Sequence, residues 1–228
     1  MQQWKKNNGG DMLILERWII FFVGIIFQSI GIALVVKSTL GTSPISTVPY
    51  VLSISFPMTF GQTTFIINMI FLIAQIFLLK DKFNRLQLLQ APVTFIFAAF
   101  IDIAMWIFES LMPDFYGYKL FILLWGVSFV SLGVALQVIA NVLMLAGEAL
   151  VTAISLVTKF EFGTIKTLFD CVLVATATIW SYMAIGTLEG IREGTLISAL
   201  ITGTISKLLI QYFSRIDHDG NRRLYLHI

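Results

Sequence analysis

Apolar residues are gathered along the chain in six long blocks, and charges, glycines or prolines separate each block from the next. The hydrocarbon core of a bilayer is about 30 Å thick and takes roughly 20 helical residues to cross. Each block is close to that length, and none alternates apolar and polar positions as the strands of a membrane β-barrel do. The pattern therefore predicts six transmembrane helices: Trp18–Val36, Gln62–Leu79, Leu88–Phe108, Leu120–Ile139, Ile165–Gly186 and Thr195–Phe213.

Two further stretches, Pro44–Ser55 and Gly147–Val157, are apolar but only about a dozen residues long. That length suits a re-entrant or buried segment, and a short tilted span is the alternative. A full crossing by the first stretch would force the basic loop around Lys80 to the outer face, against the usual distribution of positive charge. We therefore expect an all-α membrane protein, a single polytopic domain with six transmembrane helices and two re-entrant half-helices.

Charge orients these elements and indicates a location. Only 12% of the residues are charged and 57% are hydrophobic, against about 25% and roughly 45–50% in soluble domains. Lysines and arginines gather before the first predicted helix, between the second and third, and after the sixth. Short cytoplasmic loops are enriched in these residues. We therefore expect both termini, including a tail over residues 214–228, to be cytoplasmic.

An internal repeat relates the two halves of the chain. A shift of 102 residues aligns residues 24–61 with residues 126–163 without a gap and gives ten identities, among them Phe27 with Phe129. The same shift superimposes both half-helices and all three long helices of each half, so repeat one covers residues 17–109 and repeat two residues 119–211. Three crossings per half is an odd number, so the second copy enters the membrane from the opposite side. The sequence thus predicts two inverted three-helix repeats, an arrangement common in transporters.

Polar residues stand at the start of the first half-helix. Thr42 or Ser43 can cap it, and Pro44 suits the first helical position because proline has no N–H to satisfy. A helix N-terminus carries partial positive charge and free amides, which suit an anionic or carbonyl-bearing ligand. The alternative is a turn that only redirects the chain.

Ionisable residues inside the predicted helices form a second group of candidates. Glu148 begins the second half-helix, Asp102 lies within the third long helix, and Lys166 and Asp170 are spaced i, i+4 and can pair. Charges at membrane depth are costly and point to a pathway, although an ion pair or hydrogen bonds that only join helices are the alternative. The polar residues predicted to line a substrate pathway are Thr42, Ser43, Ser46, Asn68, Asp102, Glu148, Lys166 and Asp170.

Several short motifs resemble the YczE/YyaS/YitT-like family of bacterial integral membrane proteins. They are Gly31-Ile32-Ala33-Leu34, Leu40-Gly41-Thr42-Ser43-Pro44, Gly61 at the start of the second long helix, and Arg192-Glu193-Gly194-Thr195 before the sixth. The resemblance implies a location in the bacterial cytoplasmic membrane and supplies no substrate, because the activity of these proteins is largely unassigned. Ile45 stands where many relatives have an aromatic residue after the proline.

Two classes of function follow from these patterns. The first is a small-solute transporter or channel with a site at the membrane midplane, where the two repeats meet. The second is a membrane accessory or regulatory protein whose polar residues only hold helices together. We expect no enzymatic activity, cofactor or metal site, because both histidines lie in the tail and Cys171 has no histidine near it in sequence. We also expect no nucleic-acid partner, because helix orientation and anionic lipid explain Arg222 and Arg223 better. The expected partners are the lipid bilayer and an unknown small solute, and the sequence leaves a homo-oligomer open.

Overall fold

The computed structural model describes residues 14–216, all of whose regular elements are helical. The basic residues Lys5 and Lys6 and the predicted tail from residue 217 onward lie outside this range. The helices are α1 Ile14–Lys37, α2 Pro44–Ser55, α3 Phe60–Leu79, α4 Gln90–Ile107, α5 Tyr116–Ala140, α6 Ala146–Thr158, α7 Phe162–Ala184 and α8 Glu193–Ile216. Two short 3₁₀ turns, Lys80–Lys82 and Arg85–Leu89, connect α3 to α4.

Six of the described helices are long and apolar enough to cross a membrane, which confirms that part of the prediction. The helices α2 and α6 span 12 and 13 residues and match the two short apolar stretches. Local signals set several boundaries. Pro44 begins α2, and α3 begins with a capping box in which Thr59 and Gln62 satisfy each other's backbone N–H groups.

The helices α1 and α5 pack closely because glycines line their contact. A Cβ atom on Gly24 would lie 2.8 Å from the carbonyl oxygen of Gly133, and one on Gly31 would lie 2.7 Å from that of Gly126. Residue numbers therefore rise along α1 as they fall along α5, so the two helices run antiparallel. Within the contact the amide of Gln137 donates a 2.6 Å hydrogen bond to Oε1 of Gln28. Small residues permit this close approach in membrane helices.

Most of the remaining helix contacts occur in pairs, and the shift of 102 residues converts one contact of each pair into the other. The helices α1 and α4 pack together, as do α5 and α8; α2 packs on α7 and α3 on α6; α2 contacts α3, and α6 contacts α7. The extensive contact between α3 and α4 departs from this rule, because α7 and α8 have no comparable contact. The packing of the two halves is thus closely matched but not identical.

Three helix ends lie at the same end of the bundle. The ammonium group of Lys37, the last residue of α1, donates to the carbonyl oxygen of Glu109 just after α4, at 3.3 Å. The carboxylate of Asp102, in the last turns of α4, accepts hydrogen bonds from Thr59 and Gly61 at the start of α3. The chain therefore leaves α1 and enters α3 at the same end of the bundle, with α2 between them.

Candidate functional site

The segment before α2 is bonded to the start of α8 and to the residues just before it, about 150 residues later in the chain. The N–H of Thr42 donates to the carbonyl oxygen of Gly190 at 2.9 Å, and the N–H of Gly194 donates to that of Leu40 at 2.8 Å. The guanidinium of Arg192 donates to the carbonyl oxygen of Thr39 at 3.3 Å. Two motifs that were distant in the sequence therefore form one paired structure at the start of α2.

Two glycines make this pairing sterically feasible. Gly41 has φ +121°, and a Cβ atom there would lie 2.5 Å from Oγ1 of Thr195. Gly190 has φ +72°, and a Cβ atom there would collide with the ring of Tyr50. Both positions need positive φ, which side chains disfavour, and both lack space for a methyl group.

The N-terminal ends of α2 and α6 meet inside the bundle. A Cβ atom on Gly147, in the first turn of α6, would collide with the side chain of Ile45 in the first turn of α2. These two positions are equivalent under the shift of 102 residues. We call this contact the short-helix junction, and a surrounding apolar cluster closes it: Ile67, Phe71, Ala146, Leu150 and Leu173, with partly buried neighbours such as Phe169.

The cluster around the short-helix junction is itself built from equivalent positions. Phe71 in α3 is equivalent to Leu173 in α7, and Ile67 is equivalent to Phe169. The rings of Phe71 and Phe169 pack edge to face with their centroids 5.3 Å apart. An apolar barrier thus fills the space where the two short helices meet.

Two cavities flank this barrier. The tyrosine cavity, of about 110 Å³, is lined by Val36, Thr39, Gly41, Tyr50, Glu189, Gly190 and Arg192. The glutamine cavity, of about 230 Å³, has polar wall residues Asn84, Gln87, Gln90 and Thr152 among apolar side chains. Each cavity borders one short helix, α2 in the first case and α6 in the second.

The two cavities occupy equivalent positions in the two halves. Under the shift of 102 residues Tyr50 corresponds to Thr152, Gly41 to Leu143, Gln87 to Glu189 and Gln90 to Arg192, and all eight residues line one cavity or the other. The tyrosine cavity lies at the C-terminal end of α1, and the glutamine cavity lies just after the C-terminal end of α5. Because α1 and α5 run antiparallel, the cavities lie at opposite ends of this helix pair.

Three predicted pathway residues cluster at the start of α2. The hydroxyl of Ser43 donates to Oγ of Ser46 at 2.9 Å, and Thr42 bonds to Gly190 and Thr195. Ser43 is the N-cap residue, yet no side chain caps α2, so the predicted cap by Thr42 or Ser43 is wrong. The physical reason is that the hydroxyl of Ser43 donates to Ser46 instead, while the backbone N–H of Thr42 is bonded to Gly190 and Thr195.

Predicted residues of the second half gather around the start of α6. Lys166 and Asp170 form the expected pair, with Nζ 2.6 Å from Oδ1. Glu148 lies in the first turn of α6, where the helix dipole favours a carboxylate, and the charges of Lys166 and Asp170 act on it. Asn68, the equivalent of Asp170, donates to the carbonyl oxygen of Thr64 in its own helix at 2.8 Å.

Asp102 lies apart from these groups. One carboxylate oxygen accepts from Oγ1 of Thr59 at 2.6 Å, and the other accepts from the N–H of Gly61 at 2.7 Å. The carboxylate thus satisfies donors at the N-terminus of α3, where negative charge is favourable. This position gives Asp102 a structural task in joining α4 to α3.

Sequence reasoning did not single out several residues that line the cavities, among them Tyr50, Gln87, Thr152 and Glu189. The signal that could have found them is the repeat itself, since the shift of 102 residues pairs Tyr50 with Thr152 and Gln87 with Glu189. Among residues 14–216 no group of three or more histidine, cysteine or acidic side chains is placed to hold a metal ion. The arrangement is therefore one of two polar cavities and an apolar barrier.

Comparison with known proteins gives a family and no activity. No curated protein and no solved structure matches the chain. One family model, described as "Family of unknown function (DUF6198)", matches residues 15–211, a range that contains all six long helices up to the last turns of α8. The chain therefore belongs to this family of unknown function, and its six long apolar helices are those of a membrane protein.

Proposed function

We propose that this protein is a small-solute transporter or channel of the bacterial cytoplasmic membrane, built from two inverted repeats. The observation that carries the proposal is the pair of cavities at equivalent positions of the two halves and at opposite ends of α1 and α5. The short-helix junction separates them. In this proposal a solute enters one cavity, passes the junction when the halves shift against each other, and leaves through the other cavity.

The contact between α1 and α5 supports the inverted repeat. Helices at equivalent positions of inverted copies cross the membrane in opposite directions, and α1 and α5 run antiparallel. Equivalent residues also touch each other, namely Phe27 with Phe129 and Ile45 with Gly147. Equivalent positions of two copies can meet only close to the two-fold axis that relates them.

The position of α2 supports a re-entrant segment. The chain leaves α1 and enters α3 at the same end of the bundle, so the segment between these helices, which contains α2, enters the bundle and returns to the same end. At its inner end α2 meets α6 through Ile45 and Gly147. Non-regular backbone at membrane depth is tolerated where protein surrounds it, and the pairing of Thr42 with Gly190 provides this for the segment before α2.

Each cavity leads towards a predicted pathway residue. Ser46 lies four residues before Tyr50 in α2, and Glu148 lies four residues before Thr152 in α6. Residues spaced i, i+4 share one face of a helix. A solute that moves along α2 or α6 from either cavity would therefore meet Ser46 or Glu148 one turn closer to the junction.

A membrane accessory protein is the second candidate, and one observation favours it. Several polar side chains at membrane depth satisfy each other between helices, as Gln75 and Gln90 do with two 3.2 Å hydrogen bonds. Such bonds hold helices together whether or not a solute passes. The resemblance to the YczE/YyaS/YitT-like proteins, the cytoplasmic termini and the absence of an enzymatic activity stay predictions under both candidates.

Thiol accessibility from the two faces of the membrane distinguishes these candidates. In a Cys171→Ser background, single cysteines are placed by Ser46→Cys or Glu148→Cys and challenged with a membrane-impermeant maleimide in intact cells and in inverted vesicles. We expect the Ser46→Cys variant to react from one face and the Glu148→Cys variant from the other. Val51→Cys and Val151→Cys, at fully buried positions of the same two helices, are the matched controls and should stay protected.

Two labelling results would contradict the proposal. If both test cysteines are protected from both faces in folded protein, no aqueous route reaches the first turns of α2 and α6, and the transporter proposal fails. The accessory role would then be the better account. If both react from the same face, the inverted repeat fails.

A further inference from the structure

The wall of the glutamine cavity contains no charged side chain among the described residues. Its polar members are three amides and one hydroxyl, contributed by Asn84, Gln87, Gln90 and Thr152, and apolar side chains such as Leu79 and Leu156 complete it. An ion transferred from water into such a site loses its hydration without gaining an opposite charge. The wall therefore selects against ions and favours an uncharged molecule.

Most of these polar groups are already engaged within the protein. Gln90 exchanges two hydrogen bonds with Gln75, each 3.2 Å long. Oδ1 of Asn84 accepts from the N–H of Leu86 at 3.0 Å, and the hydroxyl of Thr152 donates to the carbonyl oxygen of Glu148 at 2.9 Å. These hydrogen bonds within the protein fix the positions of the three side chains, whether or not a ligand is bound.

Gln87 is the exception. Its Oε1 atom is buried and has no hydrogen-bond partner among the described residues. Buried polar atoms in native proteins are nearly always bonded, to protein, water or ligand. This oxygen belongs to a residue of the cavity wall, and a rotation of the Gln87 side chain would bring it into the cavity as an acceptor for a molecule that occupies it.

The volume of the glutamine cavity limits the size of the ligand. The cavity of about 230 Å³ is smaller than the roughly 300–1,000 Å³ of sites that take drug-sized ligands. A cavity of about 150 Å³ can hold benzene. The ligand is therefore somewhat larger than benzene at most.

We infer that the glutamine cavity is a binding site for a small uncharged solute with an amide or hydroxyl group, which donates a hydrogen bond to the side-chain oxygen of Gln87. This inference rests on the proposed function for the role of the site, since it names the solute class that would cross. Apolar side chains of the wall contact the solute's carbon atoms, and the unpaired oxygen of Gln87 orients the solute's polar group. The equivalent positions in the tyrosine cavity, Glu189 and Arg192, carry one negative and one positive charge, so that cavity adds no formal net charge from this pair.

Protection of a thiol in the cavity wall tests the inference without any transport assay. Thr152→Cys in the Cys171→Ser background is purified in detergent, and its rate of labelling by a maleimide is measured with acetamide, glycerol or acetate present. Acetamide and acetate are closely similar in shape and differ in charge. A bound solute slows labelling by one plus the ratio of its concentration to its dissociation constant, about threefold at twice that constant.

We expect acetamide or glycerol to slow labelling in a saturable way and acetate to have no effect. Adding Gln87→Leu should abolish the protection, whereas Thr176→Val, which removes an exposed hydroxyl of α7 away from the cavity, should leave it unchanged. Circular dichroism and the elution profile of each variant establish that it is folded. The comparison of acetamide with acetate needs no change at Gln87.

Three results would overturn the inference: acetate protects as well as acetamide, neither acetamide nor glycerol protects, or protection survives Gln87→Leu. Failure here and failure of the proposed function are distinguishable. Protection by acetamide together with inaccessible cysteines at positions 46 and 148 leaves a binding site in a protein that does not transport. Accessible cysteines without protection leave a transporter whose solute is of another class.

Discussion

The rings of Phe27 in α1 and Phe129 in α5 stack on each other, with centroids 5.5 Å apart and planes inclined at 29°. These phenylalanines are 102 residues apart and occupy equivalent positions of the two halves. Glycines flank the ring pair on both helices, so the backbones approach where the rings meet. In the proposed repeat the two-fold axis would therefore pass beside this ring pair.

The close contact of α1 and α5 should not tolerate added volume. A Cβ atom on Gly31 would lie 2.7 Å from the carbonyl oxygen of Gly126 and would collide with the backbone of Val130, neither of which can move alone. We expect Gly31→Ala to lower the free energy of unfolding by about 1–3 kcal/mol, the usual cost of overpacking. Thermal unfolding of the purified protein, followed by loss of the monodisperse elution peak, measures the change.

The matched control for this substitution is Gly203→Ala in α8, where nothing lies within 4 Å of the added methyl group. There alanine should be neutral or slightly stabilising, because its helix propensity is higher than that of glycine. Equal stabilities of the two variants would contradict the close packing of α1 on α5.

Asp102 should act on stability through the start of α3. Asp102→Ala leaves the N–H of Gly61 and the hydroxyl of Thr59 without their acceptor, and we expect a loss of about 1–3 kcal/mol. Asp102→Asn keeps one carbonyl oxygen for the N–H of Gly61 and should recover a large part of that loss. Unfolding midpoints of the two variants measure the difference. If both variants are as stable as the parent protein, Asp102 returns to the group of candidate pathway residues.

The parts of the fold that follow from local pattern could be predicted from the sequence. Blocks of roughly 20 apolar residues determine the six long helices, because a bilayer requires that length. Pro44 marks the first residue of α2, and the i, i+4 spacing of Lys166 and Asp170 is sufficient for their ion pair. Each of these features depends on residues within a few turns of one another.

Features that depend on distant parts of the chain could not be predicted in this way. Tyr50 and Glu189 line one cavity only because the segment before α2 pairs with the segment before α8. The same pairing occupies Thr42, which looked like a cap in the sequence. Asp102 looked like a charge in the middle of a helix, whereas its position beside Gly61 depends on how α4 packs against α3.

Gly190 should be needed both for its backbone conformation and for the space beside Tyr50. Its φ is +72°, and an added Cβ atom would collide with the ring of Tyr50. Gly186 offers a matched control, because its φ of +81° is similar and nothing lies within 4 Å of an added Cβ atom. Both alanine variants should lose about 1–2 kcal/mol from the left-handed backbone. Gly190→Ala should lose more, because it also displaces Tyr50.

Two readouts examine this difference. Thermal unfolding compares the stabilities, and labelling of Glu189→Cys by an impermeant maleimide reports whether the tyrosine cavity has changed shape. The labelling rate should change with Gly190→Ala and stay constant with Gly186→Ala. Equal stabilities and equal labelling rates of the two variants would mean that the close contact of Gly190 with Tyr50 does not contribute to stability or to the shape of the cavity.

Gln75 and Gln90 should behave as a coupled pair. Both side chains are buried, each amide donates to the other at 3.2 Å, and Gln75 also donates to the carbonyl oxygen of Ala146 at 3.0 Å. Removing one partner leaves the other buried and unsatisfied, which costs about 1–3 kcal/mol, whereas replacing both by apolar groups of similar shape costs much less. We therefore expect Gln75→Leu and Gln90→Leu to be destabilising singly, and the double variant to be more stable than the sum of the two changes predicts.

A double-mutant cycle on unfolding midpoints gives the coupling energy, for which neighbours in one network typically show about 0.5–3 kcal/mol. The carbonyl oxygen of Ala146 loses its donor in Gln75→Leu and in the double variant alike, so that loss cancels from the coupling term. Because Gln90 lines the glutamine cavity and Gln75 bonds to the first residue of α6, the pair joins the cavity wall to the short-helix junction. A coupling energy of zero would show that the hydrogen bonds between Gln75 and Gln90 do not stabilise the packing of α3 against α4.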